Sequence, residues 1–117
     1  VVCNTSFTNN SDAKLKDTQA PASLDEMQAI FDAVEVKTYS RNDLAGQKRV
    51  GFIAQEVQAV LGDGHFAHLV GQGTTAAEEG EEPESFLTLD YARLTTILWG
   101  ACKGLQERVQ ILEAKVN

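Results

Sequence analysis

The sequence predicts an α+β fold, with small antiparallel hairpins and short helices ahead of one long C-terminal helix. Three observations predict it. Val34 to Tyr39 and Lys48 to Ala54 are strand-like stretches on either side of the polar turn 41–47, the pattern of a hairpin. Ser23-Leu24-Asp25-Glu26 is a capping box at the head of a short amphipathic segment. From Asp90 to the last residue, apolar side chains recur every three or four positions, the spacing of one helix face.

The bulk properties set limits. With 117 residues the chain is one domain, or one domain with an extension. It is 43% hydrophobic and 23% charged, ordinary for a soluble protein. No apolar run reaches the ~20 residues of a membrane span, and no signal peptide is visible. The chain opens on Val1 rather than Met and is read as a piece of a longer protein. A net charge of −7, with Lys and Arg scattered, argues against nucleic acid as the main partner. Cys3 and Cys102 make no disulfide framework or metal spacing, and each is expected as a buried or half-buried free thiol, in keeping with a reducing cytosol.

Along the chain, residues 1–10 read as a strand or the tail of an upstream domain. Asn9-Asn10-Ser11-Asp12 is turn chemistry. Ala20-Pro21-Ala22 stops what precedes it. The helix capped by Ser23 then runs to about Ala33, with Leu24, Met27, Ile30, Phe31 and Val34 on one face. After the first hairpin, Gln55 to Leu61 reads as a helix with Val57, Val60 and Leu61 inward and Gly62 as its stop. His65 to Val70 is expected as a third strand. Its two histidines would then face opposite sides, so no shared metal site is expected. Residues 71–85, with Gly-Gln-Gly and five glutamates, read as a mobile loop or a long hairpin tip, and Phe86 to Leu89 as a strand.

Asp90 caps the last helix. Its apolar set is Tyr91, Leu94, Leu98, Ala101, Leu105, Val109, Leu112 and Val116. The spacings of 3, 4, 3, 4, 4, 3 and 4 describe a heptad seam with one stutter at Leu105. Ile97, Trp99 and Cys102 widen the first half enough to pack on its own domain. From Gly104 onward only a narrow stripe remains, and a lone helix of that kind is marginal in water. Pairing with copies of itself is the expected remedy. The alternative is a surface helix of a monomer.

One polar stretch carries chemistry. Asn10-Ser11-Asp12-Ala13-Lys14-Leu15-Lys16 places a hydroxyl five residues before a lysine, and a neutral lysine can act as general base for a serine nucleophile. Spacing alone is equally a solvated polar linker. In a regular helix such a pair would sit about 140° apart, so a turn or irregular segment, or a contact between chains, is expected. A lysine ordinarily titrates near about 10.4, so the base would need burial or a neighbouring cation such as Lys14 to become neutral. Asp12 is assigned no chemical step; it would cap or orient the turn.

Taken together, Ser11-Asp12-Ala13-Lys14-Leu15-Lys16, Gly51-Phe52-Ile53-Ala54-Gln55-Glu56-Val57 and Asp90-Tyr91-Ala92-Arg93-Leu94 resemble the intramolecular chaperone autoprocessing domain. That domain ends phage tailspikes, tail fibres and neck appendages, and has a relative in the myelin regulatory transcription factors. The resemblance covers residues 11–117. Lys14 stands where Arg is usual, and Asp17-Thr18 where a polar and then an apolar residue are usual.

The resemblance implies a homotrimer whose long helix, 90–117, forms a trimeric coiled coil and which guides folding of a β-rich fibre upstream in the same chain. It implies a serine–lysine self-cleavage between Asn10 and Ser11, with Ser11 as nucleophile and Lys16 as base. Residues 1–10 would be the end of the fibre and 11–117 the released chaperone. The setting would be the host cytoplasm during virion assembly, and the mature fibre would lack the domain. Either segment 71–85 or the hairpin tip at 41–47 could reach back as an arm along the fibre, and 71–85 is preferred because it is longer. Some neck-appendage relatives are associated with ATP. No Gly-Lys-Ser/Thr phosphate loop occurs here, so no cofactor is expected. The competing reading is a trimerisation or capping module that does not cut. A small enzyme on other substrates finds little support, since the carboxylates form no recognisable pair.

Overall fold

Ser23 fixes the start of the first helix. Its hydroxyl accepts the Glu26 N–H at 3.2 Å, and α1 runs Leu24–Ala33. The structure, a computed structural model, describes residues 11–75 and 78–116. The expected strand or tail at 1–10, with Cys3 and Asn10, lies outside the described residues. Beyond α1, strands β1 (Lys37–Arg41) and β2 (Gln47–Gly51) form an antiparallel hairpin, Lys37 opposite Gly51 and Arg41 opposite Gln47. Ala45 and Gly46 turn it with positive φ. The strands begin and end a few residues later or earlier than the β-branched pattern implied, because the ladder stops at Gly51. A Cβ there would come within 2.6 Å of the Tyr91 hydroxyl. Helix α2, Ala54–Leu61, follows and buries Val57 and Leu61.

The expected third strand at 65–70 is instead a turn. Ala67 N–H bonds to Gly64 O and Leu69 N–H to Phe66 O, giving a short 3₁₀ helix at Ala67–Leu69. The reason is periodic. Phe66 and Leu69 are both buried, and a spacing of three fits a three-residue turn, whereas a strand would send them to opposite faces. The strand comes next: β3, Val70–Thr74, pairs antiparallel with β4, Ser85–Leu89. Thus 71–74 and Ser85 belong to the ladder rather than to a loop. Glycine is poor in strands, which hid it. Here Gly73 lies under the Phe86 ring, where an added Cβ would come within 2.6 Å of that ring. The aromatic covers the strand that glycine leaves bare.

Helix α3, Tyr91–Val116, is 26 residues, or about 39 Å at 1.5 Å per residue. Asp90 caps it, accepting the Arg93 N–H on Oδ1 at 3.0 Å and the Arg93 guanidinium on Oδ2 at 2.7 Å. The Arg93 N–H, then its guanidinium, hold the Asp90 carboxyl below its ordinary range. A depressed carboxylate stabilises the fold above the ordinary carboxylate pKa, about 3.9, and loses that contribution as pH falls toward the lower folded value. Asp90→Asn is therefore expected to flatten the acid limb of a thermal-melt series against pH below about pH 4.

Neither two-stranded sheet would be stable alone; the helices hold both. The core joins Met27, Ile30, Val57, Leu61, Phe66, Leu69 and Ile97. Val57 and Leu69 are each 1% exposed. Two hydrogen bonds tie the hairpins to the head of α3: Asp90 N–H to Leu69 O at 2.9 Å and Phe52 N–H to Tyr91 Oη at 3.0 Å. Helices α1 and α3 meet closely at Gly100, where a Cβ would lie 2.3 Å from the Met27 sulfur and 3.0 Å from its Cβ. We expect Gly100→Val to push the helices apart and lower stability by about 1–3 kcal/mol, read by urea unfolding.

Candidate functional site

Ser11 and Lys16 come together. Lys16 Nζ donates to Ser11 Oγ at 2.6 Å. The sequence between them explains the contact. Asp12 caps a single 3₁₀ turn, Ala13–Leu15, by accepting the Lys14 N–H on Oδ1 at 3.0 Å. Leu15 and Lys16 N–H groups bond back to Asp12 O and Ala13 O, both at 3.0 Å. Lys16 then leaves the turn extended, at φ −126° and ψ 109°. A tight turn followed by an extended residue folds the lysine back over the serine, which a regular helix would not do. The expected irregular segment is thus a defined turn within one chain.

Two features of this turn had no signal in spacing or periodicity. Gln19 Nε2 donates to Lys16 O at 3.2 Å and fixes the backbone of the lysine. Thr18 sits at φ 54°, in the left-handed region that β-branched residues rarely occupy. Thr18→Gly is expected to relieve that backbone strain. Both lie at the exit of the turn, next to Lys16.

Residues 11–22 are exposed in the single chain, and Leu15 is 63% exposed. The pair can therefore exchange a proton and present an oxygen nucleophile, but among the described residues nothing shields it from water. An apolar groove of about 410 Å³ opens elsewhere, between α1 and the head of α3, lined by Phe31, Val34, Val36, Phe52, Leu94 and Leu98 among others. No residue of 11–22 lines it, so it is not a cleft for the serine.

The long helix presents a second surface. Ala101, expected in the seam, is 1% exposed and packs inside its own domain, with Ile97 and Gly100. Cys102, expected buried, is exposed. The rotation has one cause: α1 takes the side of α3 that holds Ile97, Gly100 and Ala101. The outward line is then Tyr91, Thr95, Leu98, Cys102, Leu105, Val109, Leu112 and Val116, with spacings of 4, 3, 4, 3, 4, 3 and 4. That is an unbroken heptad, and the stutter at Leu105 disappears. Residues 105–116 are exposed throughout.

Among the described residues no group of three or more His, Cys, Asp or Glu is placed to hold a metal ion. His68 Nδ1 contacts the His65 carbonyl at 2.8 Å, and since a carbonyl only accepts, that nitrogen carries the hydrogen. Among the described residues, no helix is long and apolar enough to cross a membrane.

Comparison with known proteins follows the same outline. A family model described as chaperone of endosialidase, peptidase S74, matches residues 11–68. The match begins at the serine of the Ser–Lys pair. No curated protein matches the chain. Among solved structures, the crystal structure of a novel intramolecular chaperone aligns with TM-score 0.62 at 20% identity, covering 80% of this chain and 96% of that one. The carboxy-terminal domain of the bacteriophage T5 L-shaped tail fibre, solved with its intramolecular chaperone domain, aligns with TM-score 0.56 at 15% identity. It covers 99% of this chain, which spans 33% of that one. Residues 11–68, just under half of the chain, match the chaperone-of-endosialidase family, and the described residues share the fold of solved intramolecular chaperone domains.

Proposed function

We propose that residues 11–117 form the C-terminal intramolecular chaperone of a phage tail fibre or spike, which trimerises and then releases itself by one cut between Asn10 and Ser11. The observation that carries the cut is the 2.6 Å contact from Lys16 Nζ to Ser11 Oγ. In the productive state Lys16 is a neutral amine and the hydrogen bond runs the other way. Ser11 Oγ attacks the Asn10 carbonyl carbon while its proton passes to Lys16 Nζ. The tetrahedral intermediate collapses, the carbon–nitrogen bond to Ser11 breaks, and Lys16 returns the proton to the departing nitrogen. Water hydrolyses the Asn10 ester left on Ser11 Oγ. A water-exposed lysine favours its charged form; covering by neighbouring chains would favour the neutral one. Exposure of the whole segment 11–22 in the single chain supports a site that is completed by assembly.

The chaperone role rests on the outward seam. Three helices held by Leu98 to Val116 would keep three fibre chains at high effective concentration and in register while they wind. The hairpin tip between β3 and β4 serves as the arm along the fibre. Cleavage takes place in the host cytoplasm during assembly, and the virion keeps residues up to Asn10. Intact mass and N-terminal sequencing of a chain with its upstream fibre segment test the proposal. The expected product begins at Ser11. A trimer of unchanged mass instead supports the module that assembles without cutting.

A further inference from the structure

The two flanks of the outward seam on α3 differ, and they fit each other. With Thr95, Cys102, Val109 and Val116 at heptad positions a and Tyr91, Leu98, Leu105 and Leu112 at d, one flank (e) carries Trp99, Gln106 and Glu113. The other flank (g) carries Leu94, Ala101, Arg108 and Lys115. The g flank faces the apolar groove between α1 and α3, which Leu94 helps to line. Trp99, on the opposite flank, is 70% exposed, with Leu98 and Cys102 beside it.

In a parallel coiled coil a g residue meets the e residue five positions later on the next helix. Leu94 then meets Trp99 of the next copy, and Arg108 meets its Glu113. Both pairs are complementary, one apolar and one of opposite charge. Among the described residues neither Arg108 nor Glu113 takes part in an ion pair of the single chain. An antiparallel pair would set e against e and g against g. Trp99 would leave the groove empty, and the basic Arg108 and Lys115 would face their like.

We propose that Trp99 of each copy seats in the Phe31–Val34–Leu94 groove of the next copy, beside its own parallel seam. The occupant is a second copy of this chain. The contact is head to tail, so each copy gives one indole and receives one, and the set closes on itself as a ring. A tryptophan buried in an apolar pocket at the centre of an interface is the kind of anchor that dominates binding. The inference rests on the self-association proposed above, but it fails separately from it.

The test uses fluorescence, because Trp99 is the chain's only tryptophan. Sedimentation gives the oligomeric state of the whole chain, and emission with acrylamide quenching is compared with N-acetyltryptophanamide as the exposed reference. Assembled chain is expected to show blue-shifted emission and to lose most of its quenching. Val36→Asp alters a groove residue that is 66% exposed, so the fold survives. It is expected to shift emission to the red and restore quenching. Assembled wild type whose tryptophan is as quenchable as the reference overturns the groove contact and leaves self-association standing. A buried signal unchanged by Val36→Asp also overturns it. A chain that stays monomeric overturns both.

Discussion

Ser11→Ala in a chain carrying its upstream segment is expected to stay whole, while the wild type divides before residue 11. The change removes the oxygen that Lys16 Nζ contacts at 2.6 Å, and leaves the turn, whose hydrogen bonds use Asp12 and backbone groups. Folding should be unaffected. The cleavage rate is expected to fall by at least about 10³-fold, the scale on which loss of a nucleophile acts. Lys16→Arg separates a base from a structural cation. Arginine keeps the charge and can donate to Ser11 Oγ, but it does not give up a proton below about pH 12. Denaturing gels should show the arginine variant as intact as the alanine one. Cleavage at the wild-type rate in Lys16→Arg would remove the lysine from the chemistry and leave it a structural donor.

The double change Leu105→Asp and Leu112→Asp is expected to dissociate the assembly, weakening association by at least about 10³-fold, which is about 4 kcal/mol. Both leucines lie on the outward line of α3 and touch nothing that the body needs, since residues 105–116 are exposed throughout. The body should therefore keep its melting behaviour. In the assembly each aspartate would place an unpaired carboxylate among apolar side chains, which costs several kcal/mol. If covering by neighbours is what makes Lys16 neutral, the same variant loses cleavage. Analytical ultracentrifugation beside a cleavage gel gives both readings. A dissociated variant that still cuts at the wild-type rate would sink the coupling of cutting to assembly while leaving the Ser–Lys assignment in place.

The legible parts of the sequence were those whose signal is local. Ser23 and Glu26 announced α1, and Ser11 and Lys16 could be singled out because both lie on one short stretch. The strand at 70–74 was hidden because its support, the Phe86 ring over Gly73, comes from a residue thirteen positions away. His65 to Val70 misled because burial of Phe66 and Leu69 suits a three-residue turn, while their hydrophobicity alone suits a strand as well. The phase of the seam depended on which side of α3 the rest of the domain would take. Ala101 and Cys102 are neighbours that both fit a stripe, and only the contact of Met27 with Gly100 decides between them. The site was legible as a pair, but its holding contacts were not. Gln19 reaches a backbone carbonyl, and the left-handed φ of Thr18 runs against its residue type.

Because α3 is one uninterrupted helix, it works as a shaft. Its upper half is gripped by the body at Ile97, Gly100 and Ala101, and its lower half, past Gly104, is free. A straight helix transmits angle as faithfully as length, so the free end is a replaceable handle whose only requirement is phase. A foreign parallel trimeric zipper spliced on after Gly104 should serve if its a positions fall at 109 and 116. One residue inserted at the splice turns the handle by about 100° against the grip, and in the proposed trimer the same zipper would then drive the bodies out of alignment.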